Sequence, residues 1–358
     1  MTNLLSFNFH NLVGLNVVSN DPFATRFFKL ENQFSTGDFP RDLGLVNLHW
    51  ERRRPTDGRK INYRSQFHKL LARWSYWIEI TDKGIEIDAF GNRTAVPMVH
   101  HMLVHPSLRY LCARQKVMMM HGSAVVLGNK SVVFTGMGGT GKTTISSLIL
   151  KHGGVDWKLH ADDYVFLSTR PFSYAYITRA HLYRDQIRWI PSMKEFLTPG
   201  ERLHLEFFGR LREISRDGLK WPLRITATRL WPEHVIAPKA NLAAIILLKR
   251  GSDTHPILQK VSRNSEIVDS LIQMNFHEAR HFIRLFETTL DLHDREKWLK
   301  EWKIAERGIL EEILKKTALY ELYLPHRRDV PKNYGEQLVE IVTPLCVSDA
   351  TEVADGNH

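Results

Sequence analysis

The feature that most constrains this chain is a glycine-rich segment, GMGGTGKT, at residues 136–143. It fits the pattern G-x-x-x-x-G-K-[ST], in which glycines permit the backbone angles that point successive N–H groups at an anion. The β-branched run VVFT before it predicts a strand, and ISSLIL after it predicts an apolar helix face. This strand–loop–helix order predicts a nucleotide phosphate site in an α/β fold.

The segment, called the phosphate loop below, assigns specific roles to its last residues. Lys142 is expected to reach the β and γ phosphates, and the Thr143 hydroxyl is expected to ligate Mg²⁺. ATP is the expected nucleotide, although GTP and pyrophosphate stay open as phosphate donors. The predicted nucleotide-binding residues are Gly136, Met137, Gly138, Gly139, Thr140, Gly141, Lys142, Thr143 and Thr144.

The flanks of the phosphate loop narrow the class of protein. SAVVL (123–127), GNK (128–130) and SVVFT (131–135) predict a β-hairpin that leads into the loop. Asp162 and Asp163 follow Lys142 after only about twenty residues, at the end of an extended segment, where a carboxylate can hold Mg²⁺ or accept a hydroxyl proton. Adjacent strand residues point oppositely, so both would face the phosphate only across a kink. A structural strand-end turn is the alternative.

Taken together, His121-Gly-Ser-Ala-Val-Val, the hairpin, the phosphate loop and Ala161-Asp162-Asp163 resemble the core of the HPr kinase/phosphorylase family. GTGKTTIS is also similar to the phosphate loop of the phosphoenolpyruvate carboxykinases, which are structural relatives of those kinases. The likeness covers about residues 120–168. It implies a P-loop kinase-like α/β domain that transfers the γ-phosphate of ATP to a hydroxyl, commonly of serine, with Mg²⁺ and an aspartate base.

Carried over by motif position, the resemblance implies that Lys142 and Thr143 bind phosphate and metal. Asp162 is then the base and a metal ligand, or shares the role of base with Asp163. His121 matches the family histidine near the catalytic aspartate, and a structural histidine at a strand start is the equal alternative. The implied catalytic residues are His121, Lys142, Asp162 and Asp163.

The sequence departs from the family after the aspartates, where residues 170–240 are rich in Arg and Trp. The acceptor is therefore left open as a small molecule, a peptide or a protein. A non-catalytic nucleotide-binding sensor and an ATP-hydrolysing assembly factor are the competing functions. Charge that builds on the transferred phosphoryl group requires a cation, and the unranked candidates are Arg179, Arg184, Arg188 and Arg250. Glu201 and Glu206 are either further metal contacts or surface carboxylates.

The formal charge of +10 is scattered rather than gathered in one tract. It predicts a solvated basic surface or a docking face for an acidic partner, and nucleic acid is not expected, because no nucleic-acid module is recognised. The longest apolar run, Leu242–Leu248, is too short for a bilayer, and no signal peptide is expected. Cys112 and Cys346 fit a reducing cytoplasm. Homo-oligomers are common among the relatives, so oligomeric state stays open.

The rest of the chain predicts a β-rich N-terminal domain at 1–95, a kinase-like domain at 97–345 and a flexible tail at 346–358. The second domain divides into a core at 120–250 and a helical part at 257–345. Alternating patterns predict strands at 13–18, 76–81, 84–90, 164–168, 223–227, 242–250 and 318–324. Helices are predicted at 96–116, 142–152, beyond 257 and at 334–342. His100, His101 and His105 are interpreted as structural or surface residues, and ERRRPTDGRK (51–60) as an exposed loop.

Overall fold

The computed structural model describes residues 2–32, 39–40, 43–52, 72–216, 221–251, 254–287, 292–325 and 330–347. It is a mixed α/β structure. Its strands, in chain order, are β1 Asn3–Phe9, β2 Val13–Ser19, β3 Leu45–Glu51, β4 Trp74–Ile80, β5 Gly84–Gly91, β6 Val117–Leu127, β7 Lys130–Thr135, β8 Trp157–Ala161, β9 Tyr164–Ser168, β10 Phe172–Tyr176, β11 Ala180–Leu182, β12 Leu223–Ile225, β13 Lys239–Arg250, β14 Ile257–Lys260 and β15 Ala318–Leu324.

The helices run between and after these strands. They are α1 Pro22–Glu31, α2 Val96–Val99, α3 His105–Arg114, α4 Lys142–Gly153, α5 Arg184–Trp189, α6 Pro199–Ile214, α7 Ala227–Leu230, α8 Ser265–Glu278, α9 Arg280–Glu287, α10 Leu292–Leu314 and α11 Tyr334–Val347. Short 3₁₀ turns cover Arg93–Ala95 and Pro191–Phe196, and a π-helical turn covers His100–Val104. Within the described ranges, none of the helices has the length and apolarity needed to cross a membrane.

The chain divides into two compact units, each gathered from three separate segments. Unit 1 comprises residues 1–120, 166–170 and 264–315, and unit 2 comprises residues 121–165, 171–263 and 316–358. The division falls within strands β6 and β9 and assigns the helices α8 to α10 to unit 1. The predicted domain ranges stay predictions, and the units follow different bounds.

Unit 1 is organised around a five-stranded sheet of order β1-β2-β3-β5-β4. The outer pairs β1–β2 and β4–β5 are antiparallel, whereas β2–β3 and β3–β5 are parallel. The predicted hairpin across residues 77–90 is confirmed as β4–β5. Alternate side chains of the central strands, including Leu15, Leu48 and Ile87, are fully or nearly fully buried, as a covered sheet face requires.

Helices α3, α8 and α10 of unit 1 share a buried polar cluster. Arg109 is 2% exposed, and its Nε and Nη2 donate to the two carboxylate oxygens of Glu306 at 2.6 and 2.5 Å. Arg109 Nη1 donates to the backbone oxygen of Asn275 at 2.5 Å. Trp302 Nε1 donates to Glu306 Oε1 at 3.0 Å, so each charge in this interior is met by a partner.

The larger sheet has the order β14-β15-β13-β7-β6-β8-β10-β9. Strands β7, β13 and β15 are parallel neighbours, while β6 pairs antiparallel with both β7 and β8. The predicted hairpin before the phosphate loop is confirmed as β6–β7, with Gly128 at φ 60° in its turn. Parallel strands end on the same sheet edge, so the C-terminal ends of β7 and β13 lie together there.

Two sequence predictions need correction or extension. The region after Ile257 was predicted to be helical, but Ile257–Lys260 forms β14, which pairs antiparallel with β15. Pairing with an existing strand edge outweighs the weak local preference of a four-residue segment. Helix α11 also continues past Val342 to Val347, with Pro344 inside it. The predicted loop from Arg53 onward and the tail from Ser348 lie outside the described residues.

Candidate functional site

The phosphate loop occupies the turn between β7 and α4. Gly139 and Gly141 have φ of 83° and 109°, backbone angles that residues with a Cβ rarely adopt. The Thr140 hydroxyl donates to Met137 O at 2.8 Å and closes the loop on itself. Gly141 occupies the N-cap of α4, and within the described chain no side chain caps this helix end. Its first N–H groups and positive dipole end are therefore directed at the loop, as an anion site requires.

Lys142 is the first residue of α4 and is 8% exposed. Its Nζ donates to the backbone oxygens of Gly136 at 2.9 Å and Met137 at 3.4 Å, so the ammonium group lies across the mouth of the loop. These two carbonyl oxygens hold the charge where an incoming phosphate would take their place.

Asp162 and Asp163 lie in a bend between β8 and β9. This bend is the kink that adjacent residues need in order to share one side of the sheet edge. Asp163 is fixed twice, since its backbone oxygen accepts from Gly122 N at 3.0 Å and its Oδ1 lies 3.3 Å from His121 Nε2. The β6–β7 hairpin therefore positions the second aspartate directly.

Asp162 lies next to the start of α4. Burial raises the pKa of its carboxyl to about 6, and the neighbouring charge of Asp163 adds to the rise. A hydrogen bond from Thr143 and the charges of Lys142 and His121 oppose it. A carboxyl whose pKa lies near neutral can exchange a proton at physiological pH, which is what general base catalysis needs.

The structure therefore brings together five sequence-predicted residues, namely His121, Lys142, Thr143, Asp162 and Asp163. Among the described residues, no group of three or more His, Cys, Asp or Glu side chains could hold a metal ion by itself. The Thr143 hydroxyl and the Asp162 carboxylate supply two oxygen ligands. Mg²⁺ commonly completes such a set with water and nucleotide phosphates, so these residues fit it.

The arginines considered for contact with the transferred phosphoryl group differ in the contacts that they make. Arg250, at the end of β13, donates through Nη2 to Thr140 O at 3.1 Å and through Nη1 to Pro325 O at 3.1 Å. Arg184 instead forms ion pairs with Glu206 and Glu213. Arg250 is thus the candidate held against the phosphate loop. The side chain of Arg188 lies outside the described part of the chain.

The two glutamates considered as metal ligands have other partners. Glu201 caps the start of α6 by accepting from the backbone N of Thr198 at 2.8 Å, and it also accepts from Arg229 at 2.6 Å. Glu206 lies 2.9 Å from Arg184. Both carboxylates therefore have partners away from the phosphate loop, and their role as metal ligands stays untested.

Sequence reasoning did not anticipate the cleft beside the phosphate loop. This cleft, about 40 Å³, is lined by Thr140, Gly141, Thr144, Ile145, Asp185, Trp189, Arg250, Leu324, Pro325, Val330 and Tyr334. Trp189 and Tyr334 lie with their ring centroids 6.1 Å apart. Apart from the residues of the loop and of α4, the lining comes from distant segments without a motif, so only folding brings them together.

A scan of the chain against models of known protein families finds no match, and a search of curated proteins finds none that matches.

Proposed function

We propose that this chain is a P-loop kinase of the HPr kinase-like type, which transfers the γ-phosphate of ATP to a hydroxyl group. The observation that carries the proposal is the placement of the Asp162 carboxyl beside Lys142 and Thr143, at the N-terminal end of α4. A nucleotide-binding loop needs only the lysine and threonine. The raised pKa of the adjacent carboxyl is what transfer to a hydroxyl needs in addition.

In the proposed reaction, the oxygen of the acceptor hydroxyl attacks the γ-phosphorus, and Asp162 accepts the proton of that hydroxyl. The bond from that phosphorus to the bridging oxygen of ADP breaks, and ADP leaves with the electron pair. Lys142 and Arg250 stabilise the charge on the transferred group, and backbone N–H groups of the loop orient the phosphates. Mg²⁺, held by Thr143 and Asp162, would neutralise phosphate charge. His121 keeps Asp163 in place beside this group.

The nucleotide site is tested by measuring Mg-ATP binding calorimetrically with the wild-type chain and with Lys142→Ala. We expect the variant to lose measurable affinity, because it lacks the cation that meets the β and γ phosphates. Lys151→Ala is the matched control, since Lys151 lies in the last turn of the same helix. Equal affinity of Lys142→Ala and wild type would remove the proposed site.

Asp162→Asn separates the kinase from the sensor and the assembly factor. We expect it to keep ATP binding, through the loop and Lys142, but to transfer no label from γ-labelled ATP to a metabolite or peptide pool, read by mass spectrometry. A variant that transfers label as fast as wild type would contradict the role of base. ATP hydrolysis without any labelled acceptor in the wild-type chain would favour the assembly factor.

A further inference from the structure

A second cavity of about 290 Å³ lies between α5 and α6 in unit 2. This volume is close to the lower limit of about 300 Å³ for pockets that enclose small molecules. The cavity is lined by Tyr183, Arg184, Asp185, Leu205, Phe208, Gly209, Arg212, Glu213, Arg216 and Trp221. It belongs to the Arg- and Trp-rich region that departs from the family pattern.

Two residues connect this cavity to the phosphate loop and the aspartates. Asp185 lines both the cavity and the cleft that contains Thr140 and Gly141. Tyr183 lines the cavity, and its pKa is raised by burial first and by the nearby charges of Asp185 and Asp163 as well. The cavity therefore adjoins the cleft beside the phosphate loop and lies near Asp163.

The cavity is lined by three arginines, Arg184, Arg212 and Arg216, together with the carboxylates of Asp185 and Glu213. Arg184 is fixed by Glu206 at 2.9 Å and Glu213 at 3.1 Å. Gly209 makes room for it, since a Cβ there would meet Arg184 Cδ at 2.5 Å. The guanidinium carbon of Arg212 lies 4.9 Å from the centroid of the Tyr183 ring. Arg212 Nη1 lies 3.5 Å from Asp185 Oδ1, which is long for a charge-assisted hydrogen bond. A guanidinium has five N–H donors, so Arg212 can meet a second carboxylate without losing Asp185.

The cavity also has an aromatic surface. Phe208 and Trp221 stack with centroids 5.3 Å apart and planes inclined by 29°. Trp221 is 42% exposed although it lines the cavity. Flat apolar surfaces of this kind accept another ring or an apolar chain, which removes them from water.

We propose that this cavity binds the phosphate acceptor, and that the acceptor is a small hydroxy acid with a flat apolar group. Its carboxylate would meet Arg212, and its apolar group would lie against Phe208 and Trp221. Its hydroxyl would face the phosphate loop and the aspartate pair, where Asp162 accepts its proton. This inference rests on the proposed kinase function, because it supplies the hydroxyl of that reaction.

The test uses 3-phenyllactate as the probe, since it combines a ring, a carboxylate and a hydroxyl. Lactate, which lacks the ring, and 2-phenylethanol, which lacks the carboxylate, are the comparison ligands. We expect calorimetry with the full chain to give at least about tenfold tighter binding of phenyllactate than of lactate or phenylethanol. Lactate lacks the contacts with the aromatic rings, and phenylethanol lacks those with Arg212. Arg212→Gln should lose this advantage over phenylethanol, and Phe208→Ala should lose the advantage over lactate.

Arg210→Gln is the matched control, because Arg210 is exposed on the same helix and does not line the cavity. If Phe208→Ala does not fold, as judged by thermal unfolding, Trp221→Leu replaces it. Equal binding of the three ligands, or unchanged phenyllactate affinity in both cavity variants, would overturn the inference.

Mg-ATP titrations of the same samples separate the two proposals. A chain that binds Mg-ATP but does not distinguish phenyllactate from its halves overturns the acceptor site alone. A chain that binds phenyllactate through Arg212 but not Mg-ATP overturns the kinase proposal and leaves a hydroxy-acid site. Phosphorylated phenyllactate, detected by mass spectrometry with wild type and absent with Asp162→Asn, would support both.

Discussion

At the scale of single residues, Asp162 couples the fold to pH. Its carboxyl has a pKa raised from 3.8 to about 6 by burial and by Asp163. The ionised form is therefore the costly one in the folded chain. This cost is absent below about pH 4, where the group is protonated in both the folded and unfolded states, and it is complete above about pH 7.

Asp162→Asn should therefore stabilise the metal-free protein at neutral pH. We expect its free energy of unfolding to exceed that of wild type by about 3 kcal/mol near pH 7.5, since the amide mimics the neutral carboxyl. The difference should vanish below about pH 4. Urea denaturation across this range measures it, and a constant difference at every pH would show that the carboxyl titrates normally. Asp156→Asn is the control, since Asp156 directly precedes β8, the strand that leads to Asp162.

His121 acts on the same carboxyl from the hairpin side. Its charge lowers the pKa of Asp162, and its Nε2 lies 3.3 Å from Asp163. His121→Gln keeps a hydrogen-bonding side chain but removes the positive charge. We expect the acidic limb of the rate–pH profile for phosphate transfer to move to higher pH, because Asp162 then ionises later.

A rate profile measured with saturating Mg-ATP decides this prediction for His121. His255→Gln, at an exposed histidine that pairs with Gln337, should leave the acidic limb unchanged. A lower rate at every pH with an unmoved limb would mean that His121 positions Asp163 without affecting the titration.

At the scale of elements, the phosphate loop and the β6–β7 turn offer matched glycines. Gly139 and Gly128 both have positive φ, 83° and 60°, and a Cβ at either position would meet nothing within 4 Å. Alanine at each site should destabilise the protein by about 1–2 kcal/mol through backbone strain alone.

Only Gly139→Ala should weaken Mg-ATP binding, since only its N–H lies in the anion-binding loop. Thermal unfolding compares the two costs, and calorimetry compares the two affinities. A similar loss of affinity in Gly128→Ala would mean that general destabilisation, rather than loop geometry, accounts for the effect.

The buried pair of Arg109 and Glu306 gives unit 1 a test of its own. Arg109→Met would leave the Glu306 carboxylate without its bidentate partner in an interior where Glu306 is fully buried. We expect a loss of about 3–5 kcal/mol in the free energy of unfolding. The double variant Arg109→Met, Glu306→Met should recover most of it. If the double variant is as unstable as the single one, the pair contributes net stability rather than mutual neutralisation.

The elements predicted best from sequence are those whose signals are local. The hairpin turn, the start of α4 at Lys142 and the bend at the aspartates each depend on a few adjacent residues. Arg250 could be nominated but not placed, because its position depends on the parallel register that pairs Leu247 with Thr135. Tyr183 and Asp185 gave no signal, since their proximity to the site depends on tertiary folding. Kinase activity, the nucleotide and Mg²⁺ stay predictions.

At the scale of the whole molecule, the interleaved segments bear on the predicted domain of residues 97–345. Helix α3, which begins this range, contacts β2 and β3 and buries Leu108 and Leu111. A chain of residues 97–345 would lack those strands and expose that apolar face to water. We therefore expect it to unfold at lower temperature than the full chain and to aggregate. Thermal unfolding and size-exclusion chromatography measure this, and a monomer of unchanged stability would support the predicted boundary.

The interleaved segments also determine the order in which the parts of the larger sheet are synthesised. The loop-bearing strand β7 is held by β13, and β13 in turn by β15, yet the chain contributes residues 264–315 to unit 1 before β15 is made. A ribosome therefore releases the complete nucleotide motif long before the last strand of its sheet exists. Since a ligand stabilises only the state that can bind it, the proposed nucleotide would assist folding only near the end of translation.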